Sequence, residues 1–81
     1  MKLPIIRKLY QAAPPEKLQT AVEVLEAFCE MNIKEEELDV AGELITNLCG
    51  AIEVHEMVKN GMRESEALNS FSKKVLGSID L

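Results

Sequence analysis

The sequence predicts an all-α protein, a small three- to four-helix bundle with one long central helix at about residues 35–60. Three observations predict it. Apolar residues recur at helical spacing through almost the whole chain; proline and glycine punctuate that periodicity into four segments; and no stretch shows the alternation of a strand. At 81 residues the chain is one domain, 1–81. A domain this short buries a small core and keeps a margin of only a few kcal/mol.

In the first segment, Pro4 suits a first helical turn. Ile5, Ile6, Leu9, Tyr10 and Ala13 form a short amphipathic face that Pro14 and Pro15 terminate. The second helix starts there, with Leu18, Ala21, Val22, Leu25, Phe28 and Cys29 at spacings of three and four. Asn32, Ile33 and Lys34 form a connection. Glu35, Glu36, Glu37 and Asp39 then open the long helix, where acidic side chains favour the positive end of the helix dipole.

That helix carries two apolar stripes, Leu38, Ala41, Ile45, Leu48 and Ile52 beside Val40, Leu44, Ala51, His55 and Val58. Two stripes need neighbours on two sides. Asn60-Gly61 reads as its stop. A fourth helix is expected from about Arg63 to Leu76, with Ala67, Leu68, Phe71 and Val75 inward, Gly77 as its stop and a short flexible tail at about 78–81.

Charge is uneven. Lys2, Arg7, Lys8 and Lys17 against Glu16 leave the first 17 residues at +3, residues 18–58 stand at −9, and the remainder at +1, within an overall −5. An acidic chain whose basic ends carry little aromatic content is not expected to bind nucleic acid. MKLPIIRKLY has no uninterrupted apolar run, so neither a signal peptide nor a membrane span is expected, and a cytoplasmic location follows.

Chemistry-bearing residues are few. His55, the single histidine, lies on the apolar arc and reads as a hydrogen-bonded packing residue. Cys29 and Cys49 read as buried, unpaired small hydrophobes. Cys49 and His55 stand roughly 120° apart around one helix and cannot converge on a metal. No nucleophile–base pair, phosphate loop, calcium loop or HExxH occurs, so no enzyme activity, cofactor or metal is expected. An acyl carrier would need its serine at the start of a helix, and Gly77-Ser78-Ile79-Asp80 leaves no room for one.

Gly42 and Gly50 cost about 1 kcal/mol each relative to alanine inside a helix and need a reason. One reason is close packing within the chain. Another is self-association, with Gly42, Thr46, Gly50, Val54 and Met57 as the seam of a homodimer; the high apolar fraction, with Val24, Val54 and Met57 left on outer faces, favours it. The reading is a cytoplasmic, homo-oligomeric interaction or accessory module. The alternative is a redox-responsive accessory protein in which Cys29 or Cys49 does chemistry, which requires an accessible thiol with electropositive neighbours.

The opening MKLPII, the block EELDVAGELITNLCGAIEVHEMVKNG and the closing EALNSFSKKVLGSID resemble an uncharacterised bacterial family of short proteins of unknown function. The resemblance covers nearly the whole chain. It implies partners of the peroxiredoxin or thioredoxin type, not a thiol mechanism in this chain, and it transfers no functional residue.

Overall fold

A computed structural model describes the backbone of residues 2–79 and the side chains of residues 2–74. Four helices and no strand occur among the described residues: α1 (Leu3–Ala12), α2 (Pro15–Cys29), α3 (Glu35–Lys59) and α4 (Glu64–Ile79). Each of the other three packs on α3, and α1 also touches α4. The molecule is a slab of 41 × 32 × 17 Å between Cα atoms, a thickness that admits only two helix layers. A central helix in such a slab keeps one side open.

Local chemistry sets the helix ends. Pro4 in the first turn of α1 forfeits no bond, because that N–H has no intrahelical partner. Pro15 does the same for α2. At the start of α3, Glu37 accepts the Lys34 backbone N–H at 3.0 Å, which is one half of a capping box. At its far end the Met62 N–H reaches the Met57 carbonyl and the Gly61 N–H that of Val58, a Schellman motif. Gly61 stands at φ +108°, where a side chain is strained.

The core gathers Ile6 of α1, Leu18 and Val22 of α2, Leu48, Ala51 and Val54 of α3, and Ala67, Leu68 and Phe71 of α4. Gly50 lies at its crossing point. A Cβ there would stand 2.9 Å from Cδ1 of Ile6 and 3.0 Å from Cζ of Phe71, so the missing side chain is what lets α1 and α4 both close on α3.

Several expectations change. α4 continues through Gly77 to Ile79, so Gly77 is not its stop. Of the expected tail at 78–81, Ser78 and Ile79 belong to this helix, and residues 80–81 lie outside the described residues, as does the Val75 side chain. Val54 is fully buried and Met57 packs against the core, so neither is left over on an outer face. Both point toward the side of α3 that α1 and α4 cover.

Candidate interaction surface

Two side chains of α3 decide where α1 lies, and the first is polar. Asn47, 2% exposed, accepts the backbone N–H of Lys2 at 3.2 Å and so satisfies a donor at the start of α1. At the other end, the Nε2–H of His55 donates to the Ala13 carbonyl at 2.8 Å, and its ring lies 4.3 Å from that of Tyr10 at 42°. This carbonyl lies past the end of α1, and the Lys17 and Leu18 N–H groups that follow bond to Pro14 instead, so His55 supplies its donor. His55 is thus a hydrogen-bonded packing residue, and α1 is held over the second half of α3 alone.

The consequence is an uncovered row. Val40, Leu44, Asn47, Ala51 and Val54 follow one another at spacings of four and three, which places them on one side of α3. α1 covers this row from Asn47 onward. Val40 stays 60% exposed and Leu44 43%. At about 1.5 Å per residue, the ten residues of α1 span about 15 Å against about 37 Å for α3, so α1 is too short to cover the rest. Beside the uncovered part runs α2, and the two helices leave an open apolar groove of about 380 Å³, with Leu25, Phe28, Val40, Ala41 and Leu44 inside and Glu36 and Glu37 at its edge. Val24, one turn before Phe28, is 64% exposed. Of the seven exposed large hydrophobics among the described residues, five (Val24, Met31, Leu38, Val40 and Leu44) lie between the middle of α2 and the middle of α3, so the unburied apolar surface described is concentrated at this end.

A second concavity has the opposite charge. α1 and the start of α4 enclose an open cleft of about 830 Å³, with Leu3, Pro4 and Leu68 as apolar lining and Arg7, Lys8 and Arg63 as cations. Glu64 accepts from Arg7 Nε at 3.3 Å and from Gln11 Nε2 at 2.8 Å, which joins the two walls.

The residues expected to form a dimer seam do not share one open face. Gly50 and Val54 are enclosed inside the chain and Met57 is half-buried against the core, whereas Gly42 and Thr46 are exposed, with no atom within 4 Å of a Cβ added at Gly42. The expectation that both cysteines are buried fails for Cys49, which is exposed; Cys29 is half-buried, and both are free. Cys49 points to the open side of α3, away from the helices packed on it. No group of three or more metal-ligating side chains occurs among the described residues. Asn47 belongs to no motif, although a lone asparagine in an otherwise apolar row is a legible signal. Val40 and Leu44 repeat at the spacing of a stripe that calls for a neighbour yet stay exposed, because periodicity does not show where a covering helix ends.

The chain belongs to DUF6952, a family of unknown function. Its family model matches residues 1–80, so the resemblance seen in the sequence extends across the whole fold. No curated protein and no solved structure matches the chain. Membership in DUF6952 brings no assigned residue with it, and no helix among the described residues is long and apolar enough to cross a membrane.

Proposed function

We propose that this protein is a small cytoplasmic, self-associating interaction or accessory module without catalytic activity, and that its contact surface is the α2–α3 groove. The observation that carries this reading is the apolar row of α3 that runs past the end of α1 and leaves Val40 and Leu44 in water. Burying such side chains is worth about 1.5–3 kcal/mol each when complete, enough to drive association of a small domain. The test is light scattering coupled to size-exclusion chromatography at tens of micromolar. The wild-type chain is expected at twice its 9.0 kDa mass. The double substitution Val40→Gln and Leu44→Gln is expected at the monomer mass with unchanged helical circular dichroism, a weakening of at least about tenfold in Kd. A wild-type monomer up to hundreds of micromolar removes the reading.

The exposure of Cys49 favours one other reading, a redox-responsive accessory protein that works with peroxiredoxin- or thioredoxin-type partners. Access is only half of what a reactive thiol needs. Within one turn on the same helix, Cys49 has Ile45, Thr46, Ile52 and Glu53 and no cation to favour the thiolate. Alkylation of the native protein is expected to modify Cys49 well before Cys29, at a rate near that of an unactivated thiol. A rate at Cys49 tenfold above that of a model thiol peptide would move the proposal to the redox reading.

A further inference from the structure

The proposed self-association leaves open which surface faces which, and charge decides it. Glu36 and Glu43 stand one turn before and one turn after Val40 on the same side of α3, so the α3 wall of the groove is itself an apolar ridge with acidic flanks. Pairing this ridge with its own copy would bring the acidic starts of two α3 helices together. Juxtaposing like charges costs several kcal/mol, which argues against that arrangement. The same chain carries the complement. The α1–α4 cleft has an apolar lining and carries Arg7, Lys8 and Arg63 against Glu64, so it stays positive although Arg7 pairs with Glu64 and Arg63 with Glu66 at 3.7 Å; both pairs are solvent-exposed, with the side chains of Arg7 and Arg63 62% and 87% exposed. Because α1 lies along the second half of the row whose first half is exposed, ridge and cleft open toward the same side of the molecule.

We propose that two copies of this chain pair reciprocally, the Glu36–Val40–Glu43–Leu44 ridge of each α3 entering the Arg7, Lys8 and Arg63 cleft of the other. This rests on the self-association reading and adds the partner surface. Reciprocal exchange of two different patches about a two-fold axis gives a closed dimer, in which residue i meets residue j and j meets i. Val40 and Leu44 meet Leu3, Pro4 and Leu68, and the flanking carboxylates meet the cations. Glu37 is not counted among these carboxylates, since it already holds the Lys34 N–H.

The experiment uses two charge-reversed forms of the full chain, each checked for helicity by circular dichroism. One carries Glu36→Lys and Glu43→Lys, the other Lys8→Glu and Arg63→Glu; Arg7 is left in place because its pair with Glu64 joins α1 to α4, whereas Arg63 pairs only locally, with Glu66 three residues on. Each form alone is expected to be monomeric by light scattering at concentrations where the wild type is dimeric. An equimolar mixture is expected to regain the dimer mass, because the ridge of each form then faces a cleft of net opposite charge. Association of the wild type should weaken at least tenfold between about 50 and about 500 mM salt. A cleft-reversed form that remains dimeric overturns the pairing while leaving self-association intact, and so does a mixture of folded variants that stays monomeric. A monomeric wild type overturns both.

Discussion

Replacing Phe71 by alanine is expected to cost about 3–5 kcal/mol, the usual loss for a large aromatic removed from a core. Phe71 is 3% exposed and packs over Gly50, with Ala67 and Leu68 as the other buried contributors from α4 among the described residues. The polar ties of that helix are weak substitutes. Arg7–Glu64 and the Lys74–Glu53 ion pair are both solvent-exposed, and pairs of that kind contribute about 0–1 kcal/mol. A domain this small has a margin of similar size, so the variant is expected to be largely unfolded or to lose α4 from the slab. Urea denaturation followed by circular dichroism measures this. A loss below about 1 kcal/mol would show that α4 is not docked through Phe71.

The second large effect separates the two interior glycines of α3. At Gly50, leucine would have to displace Ile6 and Phe71 together, and overfilling of this kind costs about 1–3 kcal/mol or more. At Gly42 nothing lies within 4 Å of an added Cβ, so alanine gains helix propensity at no steric cost and is expected to stabilise the fold by up to about 1 kcal/mol. Midpoints of denaturation for Gly50→Leu and Gly42→Ala should therefore move in opposite directions. A destabilised Gly42→Ala whose loss grows with protein concentration would instead place Gly42 in a contact between copies. That result would return the seam to the open side of α3.

The division between the two glycines shows what periodicity can read. Both break the helix-forming pattern and stand eight residues apart, so from the sequence they look equivalent. Only the crossing of α1 and α4 over α3 makes Gly50 a packing requirement and leaves Gly42 without one. Cys49 tells the same story. It sits between apolar neighbours, yet the slab leaves its side of α3 open.

What the sequence determined by itself was local: four helical segments, the starts of α1 to α3 and the stops of α1 and α3, because a proline's missing N–H and a glycine's positive φ act within a turn of where they stand. It also determined the inward faces Leu18–Val22, Leu48–Ala51 and Ala67–Leu68–Phe71, since those faces repeat at the helical period. The tertiary structure decided everything that depends on where one helix ends relative to another. It buried Val54 and Met57, exposed Cys49, enlisted Asn47 and His55 to hold the two ends of α1, and left Val40 and Leu44 uncovered. A hydrophobic stripe records that burial is favourable at a position, but which partner supplies it depends on the length and crossing of helices far apart in the chain, and no local pattern carries that distance.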